Sequence, residues 1–153
     1  MLTYRFIAQL FPTTSGIVDE TIEFYSLFVN PFQKVTKGLF VPLLYEYEEL
    51  KYAIEHGAIA AIWPNNVAVP KYVPNHFPIF FVDSPVNALK EITLSYLQSY
   101  RRENNNMTRF YLDAENVHNN RTISYDKAAI DTLKELEGYL ASFYNVERGE
   151  KSC

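Results

Sequence analysis

Cysteine is almost missing from this chain. Cys153 alone, among 153 residues, leaves no intramolecular disulfide and no cysteine cluster for zinc, which suits a reducing compartment. The cytoplasm is the expected location. No apolar run approaches the roughly 18 residues of a membrane-spanning helix. The opening Met1-Leu2-Thr3-Tyr4-Arg5 lacks the basic, then apolar, then small order of a signal peptide. Two Asn-x-Thr sequons, at Asn106 and Asn120, would matter only in a secretory route that nothing else supports.

Positive charge is also scarce. The balance is 14 Lys+Arg against 18 Asp+Glu, a net −4, and only Arg101–Arg102 comes near a basic cluster. Binding to nucleic acid or an anionic membrane surface by counterion displacement is therefore not expected. The five glycines, at 16, 38, 57, 138 and 149, lie too far apart for a G-x-x-x-x-G-K-[ST] or G-x-G-x-x-G loop, so ATP or dinucleotide use by those loops is excluded. His56, His76 and His118 share no helical spacing, so a metal site would have to be assembled entirely by the fold. No cofactor is expected.

What is present is apolar and aromatic. Hydrophobic residues make up 48% of the chain, with 12 Tyr and 11 Phe, a supply of rings that serves either a core or a ligand-stacking surface. A chain this long buries roughly two-thirds of the surface its unfolded form exposes, enough for one domain without staples.

Apolar positions 6, 7, 10 and 11 predict a short helix over 3–11, closed by Pro12. Residues 21–29 read as a strand ended by Asn30-Pro31, and 39–44 as another in which Pro42 favours an edge or a strand end. Tyr47, Leu50, Ala53 and Ile54 share one face of a helix from Glu46 to His56, with Gly57 at the left-handed cap position. Ala58-Ile59-Ala60-Ala61-Ile62-Trp63 and Ile79-Phe80-Phe81-Val82 read as strands covered on both faces, joined by a proline-rich loop over 64–78. Ser84 and Pro85 open a helix running to about Arg101. A polar hinge, a strand over 108–112, a loop from Asp113 to Arg121 and a helix from Asp126 to about Tyr144, capped by Ser124 or Thr122, complete the chain. The order implies an α/β fold, a single-layer mixed or parallel sheet with helices packed on it over 1–102, plus a C-terminal strand and helix extension over 103–153.

Candidate chemistry is thin. Ser124 and Lys127 match a bare S-x-x-K, but at a helix start Ser is a cap and Lys a solvated residue. Glu46, Glu48 and Glu49 fit the first turn of a helix, where the dipole favours acids. His56 suits the same helix's C-terminus. Asp83 ends a strand just before a helix, where ligands of α/β sheets gather, or it assists the helix N-terminus. The last helix carries Ile130, Leu133, Leu136, Leu140 and Phe143 on one stripe, which either docks on its own domain or pairs with a second chain. Its heptad-like run is too short for a coiled coil.

Three segments together resemble the N-terminal domain of the Mur ligases, in the branch that adds the third amino acid or the D-alanyl-D-alanine dipeptide to the muramyl peptide. Lys37-Gly38-Leu39-Phe40-Val41-Pro42-Leu43 is similar to the family's "pGdLFvAl" strand. Ala53 to Ile62 is similar to its "A…GA.avl" step from helix to strand, and Ile79 to Leu89 to its "ivV.D…AL" segment. The likeness covers about residues 2–101 and implies a peptidoglycan-related domain that holds the UDP part of a substrate, ATP binding and ligation belonging to later domains. Arg109 to Asn116 stands where the family has a G-x-x-G-K-T loop, without glycine or Lys-Thr, so ligation by the family mechanism is not expected. Asn30-Pro31-Phe32 replaces the family's UDP-contacting D-S/T-R. The expectation is therefore a stand-alone, non-catalytic domain acting through a protein partner or as a homo-oligomer. The alternative is a binder of a UDP-sugar or UDP-muramyl-peptide precursor, with stacking from Tyr45, Tyr47 or Trp63 and with Asp83 at the site. A third reading makes Asp83 or Ser124 a general base or nucleophile.

Overall fold

The computed structural model describes residues 1–99, 106–113, 117–118, 121–122 and 124–147. Arg101–Arg102, the Asn120 sequon, Gly149 and Cys153 lie outside the described residues. The chain begins with β1 (Leu2–Thr3) and α1 (Tyr4–Leu10), followed by β2 (Thr14–Ser15), β3 (Glu23–Phe24), β4 (Ser26–Phe28) and β5 (Gly38–Phe40). Next come α2 (Glu49–Glu55), β6 (Ala58–Pro64), β7 (Ile79–Val82) and α3 (Pro85–Ser99). β8 (Arg109–Tyr111), β9 (Val117–His118), β10 (Arg121–Thr122) and α4 (Lys127–Glu147) end it.

Six strands form one mixed sheet in the order β2-β7-β6-β5-β4-β8. Only β2 runs antiparallel, pairing Thr14 with Phe80; β4 through β8 are parallel. Side-chain alternation along each strand feeds two cores, as it must when both faces of a parallel sheet are covered. Leu27, Val29, Leu39, Val41, Ile62, Phe80 and Val82 face one side, under α1, α3 and α4. Phe28, Phe40, Ala61, Trp63 and Ile79 face the other, under α2 and the proline-rich segment that carries Phe77. One extra residue in β6, Ile59, interrupts the register between the Gly38–Ala58 and Leu39–Ala60 pairs. The architecture is α/β with helices on both faces of the sheet.

The extension after residue 102 does not stand apart. β8 zips onto β4 with Phe110 opposite Leu27. α4 buries Ala129, Leu133, Leu136 and Leu140 in the same core as α3. At roughly 2 kcal/mol for each fully buried leucine, this docking is substantial. Of the two roles open to the stripe, docking on its own domain is the one seen: Leu133 and Leu136 are wholly buried, and Ile130 and Phe143 are partly covered.

Local signals explain most of the boundaries. Thr3 caps α1 by accepting from the Phe6 N–H at 3.1 Å, and Ser84 accepts from the Asn87 N–H at 3.3 Å at the start of α3. α4 is capped by Asp126, whose carboxylate accepts from the Ala129 N–H at 2.8 Å. Helical backbone begins only at Lys127, which leaves Ser124 ahead of that cap and Thr122 in β10. Pro42 follows the end of β5, a central strand and not an edge. The stretch read as a loop from Asp113 to Arg121 contains β9, which pairs with β10 in a small antiparallel ribbon.

A cationic cleft at one end of the sheet and a buried carboxylate at the other

The short link over 29–37 joins two adjacent parallel strands without a helix. Asn30 starts its turn, its side chain accepting from the Phe32 N–H at 2.9 Å and its carbonyl from the Gln33 N–H at 3.0 Å. The chain then lies against the C-terminal end of α2. The Val35 N–H donates to the His56 carbonyl and the Gly38 N–H to the Gly57 carbonyl, both at 2.9 Å. Gly57 has φ +125, and a Cβ there would fall 2.0 Å from the Val35 carbonyl oxygen, so only glycine permits this approach. His56 Nδ1 lies 2.7 Å from the Tyr52 carbonyl, as its place at the helix end suggests.

This contact builds a cleft of about 320 Å³ at the amino ends of β4, β5 and β8, lined by Tyr25, Ser26, Lys34, Val35, Thr36, Arg109 and Tyr111. Its charged lining is all positive. Lys37, beside it, lies over the Tyr25 ring at 4.8 Å, and the Arg109 guanidinium over the Tyr111 ring at 5.2 Å. Such cation–π pairs contribute about 0.5–1 kcal/mol at exposed sites and hold the cation at a ring face. Lys34, Lys37 and Arg109 make no ion pair with any described residue. Lys37 also holds a left-handed backbone, φ 47, unusual away from glycine. Ser26 donates to the Thr36 carbonyl at 2.9 Å, fixing the cleft floor.

The opposite end is built around Glu49. Its side chain is 2% exposed and lies beneath the turn that follows β5. Oε2 accepts from the N–H groups of Leu43 and Leu44 at 3.1 and 3.0 Å, and Oε1 from that of Tyr45 at 3.1 Å. Tyr45 has φ 60. Burial pushes the Glu49 carboxyl up to about 7, although the backbone amides pull it down. The Tyr125 hydroxyl is buried without a hydrogen-bond partner among the described residues. Its burial, with the Glu49 and Asp113 charges nearby, raises it well above the ordinary phenol range. Tyr45 is raised too, by burial first and then by Asp126 and Glu49.

The residues singled out from sequence fall in different places. Tyr45 and Tyr47 are 58% and 62% exposed on this carboxyl-end rim. Tyr47 meets Tyr72 edge to face at 5.4 Å, and the Tyr72 hydroxyl donates to the Tyr47 carbonyl at 2.5 Å. Asp83 is exposed and accepts from Asn65 Nδ2 at 2.8 Å, tying the ends of β6 and β7 together. Trp63 is no stacking platform. It is buried on the α2 face, where its indole N–H donates to the Val67 carbonyl at 3.0 Å, and strand alternation puts it there with Ala61. Ser124 is exposed ahead of α4, and Lys127 pairs with Asp131 at 3.2 Å. Among the described residues no group of His, Cys, Asp and Glu is placed to hold a metal ion.

The cleft residues were not singled out from sequence. Tyr25, Lys34 and Lys37 belong to an ordinary strand and turn, and Arg109 reaches them only because β8 pairs with β4. A count of charges, which gave a net −4, hides a local cationic patch. No family model, curated protein or solved structure matches the chain. The Mur ligase likeness therefore rests on the sequence segments alone, while the α/β fold is seen directly. No helix among the described residues is long and apolar enough to cross a membrane.

Proposed function

We propose that the chain is a non-catalytic binding domain for a phosphate-bearing ligand with a flat ring, of the UDP-sugar or UDP-muramyl-peptide class that the Mur resemblance suggests. One observation carries this reading: Lys34 and Arg109, without an ion-pair partner among the described residues, flank a cleft walled by Tyr25 and Tyr111. Cations answer phosphate charge and tyrosine faces accept a planar ring. At about 320 Å³ the space is at the small end of ligand pockets, room for part of a nucleotide with the remainder in solvent. The packing of Leu133, Leu136 and Leu140 in the chain's own core speaks against self-association through that stripe of α4, the reading first expected from the sequence.

Calorimetric titration with UDP, UDP-N-acetylglucosamine and inorganic pyrophosphate tests the proposal. Saturable binding is expected, weakened about tenfold by Arg109→Ala or Lys34→Ala through loss of a charge-assisted contact, and left unchanged by Trp63→Phe. Absence of binding at millimolar ligand, or binding indifferent to both cleft variants, would refute it.

A further inference from the structure

β2 and β8 are the two edges of the sheet, and the cationic cleft lies by β8. At the β2 edge, Thr13 accepts from the Phe81 N–H at 2.9 Å, and antiparallel alternation then turns the Thr14 N–H and C=O outward. No charged side chain stands on β2 (Thr14–Ser15), although charge is a common guard of a free edge. Two contacts pin the chain as it leaves the strand. The Ile17 N–H donates to the His76 carbonyl at 2.9 Å, and Gly16, φ +81, sits so close that a Cβ would fall 2.2 Å from the Phe77 carbonyl oxygen. The pinned loop presents Ile17 and Val18 to solvent, 48% and 70% exposed. Asp19 is engaged by the Thr21 N–H and hydroxyl at 3.0 and 2.6 Å. Glu20, next to it, is exposed and has no ion-pair partner among the described residues.

Beside β2, on the α2 face, the proline-rich segment leaves a groove of about 340 Å³. Val69, Pro70, Val73, Pro74 and Phe77 make it apolar, and Lys71 supplies the charge in its lining. Lys71 is exposed and makes no ion pair with any described residue. Ser15 joins the two features, since it lines the groove and directly precedes the loop from Gly16 to Glu20. The loop does not fill the groove of its own chain, because neither Ile17 nor Val18 belongs to the groove's walls. Each feature supplies what the other lacks: two aliphatic side chains followed by a free acid on one side, an apolar hollow with a free lysine on the other.

We propose that this edge is the interface of a homodimer, in which Ile17 and Val18 of each copy enter the groove of the other and Glu20 meets Lys71 across the contact. A twofold interface requires one self-complementary patch. Loop and groove adjoin at Ser15, so an axis passing beside that residue sets each loop over the partner's groove. The same contact covers the free edge of β2, which gives an unguarded edge a closed assembly instead of an open-ended one. Two aliphatic side chains and one ion pair per copy make a small interface, with a dissociation constant on the order of 10 µM. The interface is independent of the cleft and of the ligand proposed for it.

Sedimentation equilibrium of the full chain between about 1 µM and about 500 µM tests this. The weight-average mass is expected to climb from 17.8 kDa to about twice that value. Val18→Asp is expected to hold the chain as a monomer. Lys71→Glu or Glu20→Lys alone should weaken association about tenfold by setting like charges against each other, and the two together should recover it. Tyr139→Glu, on the 46% exposed side of α4, should change nothing. All the substituted side chains are exposed, so the fold is not at stake. A monomer at every concentration, a dimer indifferent to Val18→Asp, or a charge swap that fails to recover what its single variants lose would overturn the proposal.

Discussion

The two ends of the parallel sheet solve opposite electrostatic problems. At the amino end three cations lie in the open with tyrosine rings as neighbours and no described carboxylate partner. At the carboxyl end one acid is sealed in, with backbone amides and no described cation beside it. Strand β5 is bracketed by both arrangements, with left-handed Lys37 just before it and left-handed Tyr45 shortly after it. Ligands of open α/β sheets gather beyond the carboxyl ends of the strands. In this molecule that end is occupied by a turn clamped onto its own helix, and the described cationic cleft lies at the other. The difference teaches that the polarity of a sheet suggests where to look, while the loops decide which end stays open.

The contrast can be broken most severely at Gly57. Gly57→Ala is expected to cost about 4 kcal/mol in urea denaturation, because the new Cβ meets the Val35 carbonyl at 2.0 Å in a backbone region closed to alanine. A near-neutral result would mean that the 34–37 wall of the cleft yields easily. The carboxyl end is next. The Glu49 carboxyl rises on folding from an unfolded value of 4.5 to about 7. The folded chain therefore binds the proton more tightly, and this contribution is fully present below about 4.5 and is lost as pH rises through about 7. Stability from this group should fall by about 3 kcal/mol across that window, and Glu49→Gln should flatten the slope. A slope of opposite sign in this window that disappears in Glu49→Gln would show that the amides, and not burial, dominate.

The smallest effect sharpens the same comparison. Tyr125→Phe removes a buried hydroxyl that has no described partner. Its expected change in stability is within about 1 kcal/mol and on the stabilising side, since an unpaired buried polar group is a cost. A loss well beyond that would reveal a hydrogen bond from Tyr125 to the Glu49 region.

Much of this fold was readable from composition and pattern. The apolar runs at 58–63 and 79–82 are β6 and β7, Ser84-Pro85 opens α3, and the leucine spacing after Lys127 is α4. What escaped was short or non-local. β2 is two residues, Thr14 and Ser15, with no apolar signal, and is a strand because Phe80 and Ile79 offer it an edge. Its turn onward uses Gly16, φ +81, close against the Phe77 carbonyl. Glu49 read as one of three acids favoured by the dipole in a first helical turn, since nothing in Glu46-Tyr47-Glu48-Glu49 distinguishes the one that the preceding turn folds over. Tyr47, expected on a helix face, precedes α2, which starts only at Glu49, and whether it and Tyr45 meet a ligand depends on the surface around them. The cleft needed β4 and β8 side by side, a pairing across most of the chain that local patterns do not encode.

That same pairing sets a schedule for synthesis. A chain emerging from the ribosome displays β4, β5, β6 and β7 well before residues 109–111 are made, so the outer edge of β4 waits with its backbone groups unpaired and Leu27, Val29, Leu39 and Val41 uncovered by α4. An unpaired edge beside an apolar face is a template for intermolecular strand addition. Nascent chains paused before Arg109 should therefore be the species that chaperones meet, and the arrival of β8 and α4 is the step that pairs the β4 edge and covers this apolar face.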